Sequence, residues 1–176
     1  NEKNPLIKHF YSFITKKFIL TKKKGQTFVK SRFINTNFDF EKNYKIIDIG
    51  CGTGEKAIKY ALAFPNSKVT GIDFSNGSLE YANKLKKFLN IPNITFKKFD
   101  LLKDDFSKLG KFDLLQSGGV IHHTDDPKGI LKKIKKNLMH KESLLWIYLY
   151  SQYGKKHIEE NIRKGIFKLI PNDDEF

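Results

Sequence analysis

The feature that most constrains this chain is a run of alternating glycines directly after a short apolar segment. Residues 46–54 read IIDIGCGTG. Asp48 lies in the apolar segment, and glycine occupies positions 50, 52 and 54. Glycine tolerates positive φ and lets a ligand approach the backbone without an intervening Cβ. A helix that starts after the run would point its free N–H groups at that ligand. The run therefore indicates a strand-to-helix turn that holds a ligand, with a plain tight turn as the alternative.

Strands and helices alternate along the rest of the chain. The predicted strands are short and apolar, and they read KIIDIG, KVTGID, NITFKKFD, KFDLLQSG and SLLWIYLY. The segments between them include three helical patterns, EKAIKYALAF, SNGSLEYANKLKKFLNI and DPKGILKKIKKNLM. Such alternation implies βαβ crossovers and a parallel sheet with helices on both faces. We therefore predict a three-layer α/β fold whose ligand lies at the carboxyl ends of the strands.

Both ends of the chain read as helices outside this pattern. Apolar residues recur at helical spacing over residues 6–19, and a second helix is predicted over residues 25–36. We assign residues 1–40 to an N-terminal helical extension that could act as a lid, and residues 41–176 to the ligand-binding domain. After the fifth strand only a helix over residues 155–169 is predicted. Strands 6 and 7 are thus expected to be missing, and the domain to be truncated at its C-terminus.

The charge distribution bears on the partners. The chain has 176 residues and a net charge of +14, and residues 1–45 hold 11 lysines and arginines against 3 acids. A basic N-terminal third could attract RNA or an anionic membrane surface. Arginine, which binds phosphate in a bidentate manner, occurs only at Arg32 and Arg163. A solvated lysine surface is therefore favoured, and nucleic acid stays an alternative partner.

Cysteine content and hydropathy indicate the cellular setting. The single cysteine, Cys51, excludes an internal disulfide, and no Cys/His cluster has the spacing of a zinc site. The longest apolar stretch, residues 144–150, is much shorter than the roughly 20 residues of a membrane-spanning helix. No secretion signal is recognisable. We therefore expect no metal, no transmembrane segment and a cytoplasmic location.

Two cofactor classes use a glycine-rich turn of this kind. The dinucleotide fingerprint is G-x-G-x-x-G, whereas here the third glycine comes one residue early and the last position is Glu55. A carboxylate would repel a pyrophosphate there, which disfavours NAD. The stretch IIDIGCGTG instead resembles motif I of the class I S-adenosylmethionine-dependent methyltransferases, a Rossmann-like family whose cofactor carries no phosphate.

The resemblance continues through three later segments and covers about residues 44–150. GIDFS at 71–75 is similar to the family's second motif, and KKFDLL at 97–102 is similar to the third. FDLLQSGGVIHHTDDP at 112–127 resembles the segment after strand four in the quinone-biosynthesis and small-molecule branch. The resemblance implies S-adenosylmethionine as cofactor and a sheet with strand order 3-2-1-4-5.

The resemblance also implies a set of cofactor-binding residues. Asp73 would bind both ribose hydroxyls, which suits a carboxylate that accepts two O–H donors. Phe74 would pack on the adenine face, and Asp100 would lie near the adenine amine. The loop glycines and Cys51 would hold the methionine part, and Asp48 would anchor its amino group through water or the loop. The residues ending strand four would approach the methionine end or the methyl site. The complete implied set is Asp48, Gly50, Cys51, Gly52, Gly54, Asp73, Phe74, Asp100, Leu101, Gln116 and Ser117.

Candidate catalytic residues follow strand four. A histidine beside the methyl group could act as general base because its pKa lies near neutrality. His122 and His123 are adjacent and point in different directions, so we expect at most one of them to face the site. The alternative is that one of them packs and the other caps or hydrogen-bonds the following loop. Asp126 precedes Pro127 and is predicted to cap the next helix.

The function that these observations predict is methyl transfer to a small-molecule or lipid-like acceptor, by in-line attack on the cofactor methyl. The Asn/Asp-Pro-Pro-aromatic motif of enzymes that methylate exocyclic amines of nucleic acid bases is not found after strand four. Two alternatives stay open. One is an RNA methyltransferase that uses the basic N-terminal face, and the other is a non-catalytic module that binds S-adenosylmethionine.

Overall fold

A computed structural model describes residues 21–34 and 36–149 of the chain. The helices predicted over residues 6–19 and 155–169 lie outside the described residues and stay predictions. The division of the chain into two parts at residue 40 also stays a prediction. Within the described ranges, no helix is long and apolar enough to cross a membrane.

Helices and strands follow one another in the predicted order. Ser75 Oγ accepts from the Ser78 N–H at 3.3 Å, so Ser75 caps the helix that follows it. A carboxylate oxygen of Asp126 accepts from the Gly129 N–H at 2.8 Å, which confirms the predicted cap. Two 3₁₀ turns, Phe106–Leu109 and Ile121–His123, flank the fourth strand. The elements are α1 Lys22–Lys30, β1 Lys45–Ile49, α2 Glu55–Ala63, β2 Lys68–Asp73, α3 Asn76–Phe88, β3 Ile94–Lys98, β4 Phe112–Gly118, α4 Pro127–Leu138 and β5 Met139–Tyr148.

The five strands form one parallel sheet in the order β3-β2-β1-β4-β5, which confirms the predicted fold class. β1 lies in the centre, where Ile47 is opposite Thr70 of β2 and Leu115 of β4. All of β1 after its first residue is buried, as expected for a strand that helices cover on both faces. β2 and β3 lie on one side of β1, whereas β4 and β5 lie on the other. This change of side opens a crevice at the carboxyl ends of β1 and β4.

Two apolar clusters hold helices onto the two faces of the sheet. On one face, Val29 of α1, Tyr60 of α2 and Leu85 of α3 belong to a single buried cluster. On the other face, Ile134 of α4 and Phe106 of the first 3₁₀ turn pack together. α1 therefore shares a core with α2, and the residues that follow it are held close to the sheet.

The bounds predicted for the second helix, residues 25–36, are wrong, because α1 spans Lys22–Lys30. Thr21 Oγ1 accepts from the Lys24 N–H at 3.2 Å, so the helix cap precedes Gly25. A Cβ at Gly25 would lie 2.5 Å from the Lys59 carbonyl oxygen of α2. Gly25, the first residue of the predicted range, therefore lies inside α1 at a close contact with the backbone of α2.

β5 starts at Met139 and not at the predicted position 143, which corrects that boundary. Its register on β4 jumps from Met139 opposite Phe112 to Leu144 opposite Leu114, so residues 140–143 form a bulge. Ser143 Oγ closes the bulge by donating to the Phe112 carbonyl at 2.6 Å. The bulge is polar and therefore carries no strand pattern. Among the described residues, no further strand pairs with the outer edge of β5.

Replacing Asn93 by alanine is expected to lower the free energy of unfolding by about 2 kcal/mol. Its Nδ2 donates to the carbonyls of Ala61, Phe64 and Ser67 at 3.0, 3.0 and 3.2 Å, which ties the end of α2 to the start of β3. Urea unfolding measures the effect. The matched control is Asn137→Ala, which removes one intrahelical bond from an amide in α4. Equal stability of the two variants would contradict this role of Asn93.

Candidate functional site

The glycine loop after β1 has three residues in the left-handed region. Gly50, Gly52 and Gly54 have φ of +71°, +52° and +82°. A Cβ at Gly50 would collide with Val120, and one at Gly54 would lie 2.7 Å from the ring of Phe96. A Cβ at Gly52 would have no other atom within 4 Å. Gly52 is therefore the loop position that faces open space, where a ligand could approach the backbone.

Asp73, the last residue of β2, is fixed beside this loop. Its Oδ2 accepts from the Gly52 N–H at 2.8 Å, and its Oδ1 accepts from the Ser75 N–H at 2.9 Å. Each carboxylate oxygen keeps a second lone pair. The side chain thus fixes the loop and retains the capacity to accept two more hydrogen bonds.

A cavity of about 470 Å³ opens at the carboxyl ends of β1 to β4. Phe74 and Leu102 are 72% and 41% exposed, so two large apolar side chains face solvent at its wall. Asp100 Oδ1 accepts from the Leu102 N–H at 2.9 Å, which orders the wall after β3. The predicted site residues that line the cavity are Gly50, Asp73, Phe74, Asp100, Leu101 and His123.

The other predicted site residues lie around the cavity without lining it. Cys51 is buried, and burial, followed by the charges of Asp48 and Asp73, raises the pKa of its thiol, so the thiolate is strongly disfavoured. Ser117 Oγ donates to the Ile49 carbonyl at 3.1 Å inside the sheet. The predicted residues in this group are Asp48, Cys51, Gly52, Gly54, Gln116, Ser117 and His122.

Three of the polar side chains form a chain of hydrogen bonds behind the loop. Asp48 Oδ1 accepts from Gln116 Nε2 at 3.0 Å, and Gln116 Oε1 accepts from Arg32 Nε at 3.1 Å. Asp48 Oδ2 is buried and has no hydrogen-bond partner within the described part of the chain. Burial raises the pKa of Asp48 to about 6, against the opposing effects of the Gln116 hydrogen bond and the charges of Lys56 and Arg32. The carboxyl is therefore costly to keep ionised.

Tyr60 of α2 adds a second buried polar group on the same face of the sheet. Its side chain is fully buried, and its hydroxyl has no hydrogen-bond partner among the residues that the structure describes. Burial, followed by the charge of Asp48, raises its pKa, and Arg32 opposes the shift. Native proteins rarely leave buried polar groups unsatisfied, so this region is a candidate for function.

The two histidines differ in where they lie. His123 is exposed and lines the cavity, whereas His122 is half-buried and does not line it. Their ring centroids are 4.0 Å apart. Of the pair, His123 is thus the one that could contact a ligand in the cavity. No cluster of three or more metal-ligating side chains occurs in the described ranges.

Sequence reasoning missed several residues of this region. Arg32 and Lys56 carried no motif, and only the folded chain brings them next to β4. Apart from Ile72, which lies in β2, the remaining cavity residues belong to the segments after β3 and β4, and that placement is the signal that could have indicated them. They are Ile72, Phe99, Leu102, Gly119, Val120, Thr124 and Asp125.

Comparison with known proteins gives a family match over most of the chain. A family model for a methyltransferase domain matches residues 40–168. Malonyl-[acyl-carrier protein] O-methyltransferase of Bacillus anthracis is 25% identical over 127 residues, which are 72% of this chain and 44% of that protein. Trans-aconitate 2-methyltransferase of Deinococcus radiodurans is 32% identical over 94 residues, 53% of this chain and 33% of that protein. The chain thus spans less than half the length of either relative.

A solved structure has the same fold. PKMT2 from Rickettsia typhi matches with a TM-score of 0.65 and 23% identity, over 84% of this chain and 28% of that protein. The same protein in complex with AdoHcy matches with a TM-score of 0.57, over 68% of this chain and 24% of that protein. Because the family model covers most of the sequence and the sheet has the predicted strand order, this chain belongs to the class I S-adenosylmethionine-dependent methyltransferases.

Proposed function

We propose that the cavity at the carboxyl ends of β1 to β4 binds S-adenosylmethionine, and that the protein transfers the cofactor's methyl group to a small-molecule or lipid-like acceptor. The observation that carries the proposal is the contact between Asp73 and the Gly52 N–H at 2.8 Å. It holds an ionised acceptor beside a backbone position that is open to a ligand. A cofactor with two ribose hydroxyls and no phosphate suits that pair of features.

The adenosine part of the cofactor fits the wall formed after β2 and β3. Asp73 would accept from the ribose hydroxyls, and Phe74 and Leu101 would cover the adenine ring. The carboxylate of Asp100 would lie near the adenine amine. The apolar exposure of Phe74 supports this assignment, because an exposed aromatic ring in a concave surface favours a planar ligand.

The methionine part would lie along the glycine loop towards β4. S-adenosylmethionine supplies an activated methyl group, so the protein's main task is to align an acceptor with it. Asp48 and Gln116 are buried, so they would position the cofactor's amino group indirectly, by holding the glycine loop in place. His123 lines the cavity and could accept a proton from an acceptor hydroxyl or acid.

A small-molecule acceptor is favoured by two observations. The relatives include enzymes named for malonyl-[acyl-carrier protein] and for trans-aconitate, and each of these names includes an organic acid. The segment after β4 resembles the small-molecule branch of the family.

Calorimetric titration with S-adenosylmethionine tests the cofactor assignment, with NADH as the comparison ligand. We expect a micromolar dissociation constant for S-adenosylmethionine and no binding of NADH. Transfer of a labelled methyl group to small molecules of a cell extract then tests catalysis. Binding without transfer to any acceptor would favour the non-catalytic module, and binding of neither ligand would remove the proposal.

Gly52→Ala is expected to raise the dissociation constant for S-adenosylmethionine about 10-fold or more, because its Cβ enters the space left for the ligand. The folded state should lose about 1–2 kcal/mol through the left-handed φ. Gly110→Ala is the matched control, since Gly110 also has positive φ and open surroundings but precedes β4 at the opposite end of the sheet. Equal effects of the two changes on binding would argue against a cofactor at Gly52.

A further inference from the structure

Two buried oxygen atoms lie in the layer between the sheet and α2. Asp48 lies on the same side of β1 as Ile46, because side chains alternate along a strand, and Ile46 shares one apolar cluster with Tyr60 of α2. Asp48 Oδ2 and the Tyr60 hydroxyl are buried and have no hydrogen-bond partner among the described residues, so they do not bond each other directly. Roughly nine in ten buried polar groups of native proteins are hydrogen-bonded. Two unpaired oxygens in one layer therefore indicate a shared partner from outside the described chain.

A continuous series of contacts links the two groups. The Phe28 ring meets the Tyr60 ring edge to face, with centroids 5.5 Å apart, and its own centroid lies 3.4 Å from the guanidinium carbon of Arg32. Arg32 donates to Gln116 at 3.1 Å, and Gln116 donates to Asp48 Oδ1 at 3.0 Å. Burial, and then the charge of Asp48, raise the pKa of the Tyr60 hydroxyl, so the two groups also interact electrostatically. The hydroxyl and the carboxylate thus lie at the two ends of one packed set of side chains.

The first turn of α2 brings a third polar group to this region. α2 begins after Gly54, which offers no side chain to cap the free N–H groups of the turn. The N–H of Ala57 favours the ionised form of Asp48, yet the hydrogen bond recorded for this carboxylate in the described ranges comes from Gln116. The N–H is therefore directed at the carboxylate without a direct hydrogen bond. A buried water usually makes about three hydrogen bonds, and this region offers a hydroxyl, a carboxylate oxygen and an N–H.

We propose that one buried water molecule joins the Tyr60 hydroxyl to Asp48 Oδ2, and that Tyr60 is thereby a positioning residue that favours the ionised form of this carboxylate. The Tyr60 O–H donates to the water, and the water donates to Asp48 and accepts from the Ala57 N–H. A carboxylate that accepts an additional hydrogen bond is stabilised in its charged form. This network is a property of the folded chain and does not depend on a ligand.

The consequence for the cofactor rests on the proposed function. S-adenosylmethionine carries a positive sulfonium and a positive ammonium group, and an ionised acid beneath the glycine loop attracts both charges. Asp48 is buried, and salt screens such an attraction less there than at the surface. Tyr60 would thus act on binding without touching the cofactor, through the charge of Asp48.

The groups that face Asp48 determine which of them titrates. Burial raises the pKa of Asp48 to about 6, whereas a hydrogen bond from β4 and the positive charges of Lys56 in α2 and Arg32 after α1 oppose the rise. Burial also raises the pKa of the Tyr60 hydroxyl and of the Cys51 thiol, so both groups stay neutral below pH 8. β2 places a glycine opposite Asp48. Between pH 4 and pH 8, the charge that changes at this place is therefore that of Asp48.

Urea unfolding of the wild type and Tyr60→Phe, at pH 4 and pH 8, tests the network without a ligand. The substitution removes one oxygen atom and keeps the ring that packs on Phe28. Losing a donor raises the folded pKa of Asp48 further above its usual value, and the stability that a raised acid pKa contributes is lost as the pH rises through the folded value. We therefore expect Tyr60→Phe to unfold at a lower urea concentration than the wild type, with a larger difference at pH 8 than at pH 4. In an Asp48→Asn background, the difference should be the same at both pH values.

Tyr44→Phe is the matched control, because Tyr44 packs on the same apolar cluster but precedes β1 at the opposite end of the sheet. Its effect should not depend on pH. A Tyr60→Phe variant that is more stable than the wild type at pH 8 would mean that the hydroxyl is buried without a partner, and the shared water would be excluded. A loss that is equal at both pH values would exclude the link to Asp48. In a crystal structure, electron density for a water within hydrogen-bond distance of both oxygens is the direct confirmation.

Calorimetry between pH 5 and pH 8 tests the consequence for the cofactor. The affinity of the wild type for S-adenosylmethionine should fall as the pH decreases through about 6, because Asp48 becomes protonated. Tyr60→Phe should move this fall upward by about one pH unit, which weakens binding about 5-fold at pH 6. 5′-Methylthioadenosine carries neither positive charge and should show no such change.

An unchanged pH profile of S-adenosylmethionine binding in folded Tyr60→Phe overturns the positioning role. If the wild type binds no S-adenosylmethionine at any pH, the proposed function fails instead. The unfolding experiment then decides the water-mediated link between Tyr60 and Asp48, because it requires no cofactor.

Discussion

Asp73→Ala is expected to lower the affinity for S-adenosylmethionine by about 100-fold or more, the largest effect on binding of any single change. Hydrogen bonds to a charged group contribute about 1.5–3 kcal/mol each, and two ribose hydroxyls would lose theirs together. The substitution also releases the Gly52 N–H, which Asp73 holds at 2.8 Å, so the glycine loop loses its anchor as well. Both losses weaken the binding of S-adenosylmethionine.

Calorimetry of the wild type, Asp73→Ala and Asp73→Asn measures this effect. The asparagine variant keeps the size of the side chain and an acceptor for the loop but removes the charge, and we expect it to fall between the other two. Glu80→Ala is the control, because it removes an exposed carboxylate from α3 with no contact to the cavity. If folded Asp73→Ala binds S-adenosylmethionine as tightly as the wild type, the ribose role of this residue is wrong.

Asp48→Asn is expected to make the protein more stable by up to about 3 kcal/mol at pH 8, and to weaken cofactor binding at the same time. The folded pKa of Asp48 is about 6, above its usual value of 3.8, because burial disfavours the ionised form. A raised pKa of an acid means that the folded state binds its proton more tightly than the unfolded state. The free energy of unfolding that this group contributes is therefore lost as the pH rises from about 4 to about 6.

The asparagine variant removes this pH-dependent loss. Its amide oxygen can still accept from Gln116, and its amide nitrogen replaces the oxygen Oδ2, which has no partner in the described residues. The difference in unfolding free energy between variant and wild type should thus be small at pH 4 and large at pH 8. Urea unfolding at both pH values measures it, and effects of other titrating groups cancel in the difference.

Asp105→Asn is the control for this experiment. Asp105 is exposed, and its hydrogen bonds from Ser107 lower its pKa, so its ionised form is favoured in the folded state. Its substitution should give no gain at pH 8. A wild type more stable than Asp48→Asn at pH 8 would mean that the Asp48 carboxylate is stabilised when charged, and the burial argument would fail. The expected gain in stability together with weaker binding of S-adenosylmethionine would show that a costly acid is retained for binding and not for folding.

Two of the features that sequence reasoning predicted correctly have a local origin. The turn at residues 50–54 depends on glycines that adopt positive φ within five positions. The predicted helix cap, Asp126, accepts from an N–H three residues away. The sheet order agrees with the prediction, which drew on the order of motifs as well as on strand and helix patterns. The turn and the helix cap each close within a few residues, so they can be read along the chain, whereas the strand order was implied by the family resemblance.

Tertiary contacts corrected the boundaries of two elements. Gly25 is the first residue of the predicted helix, but it lies inside α1, at a position where the Lys59 carbonyl of α2 leaves no room for a side chain. The bulge at residues 140–143 is polar, yet it belongs to β5 because β4 pairs with residues on both sides of it. In both cases the deciding contact comes from another element, and a local pattern contains no trace of it.

The polar network around Asp48 is the clearest case of what sequence alone left undetermined. Asp48 was identified by its motif, but its pKa near 6 and its missing partner follow from burial beneath α2. Arg32 reaches Gln116 across 84 positions, and Lys56 reaches Gly118 across 62. The sequence by itself determined the α/β class, the glycine turn and the family. These depend on local geometry and on several motifs that follow one another along the chain. Only the tertiary structure decided which charges face one another, because electrostatic energy depends on distance and burial and not on order along the chain.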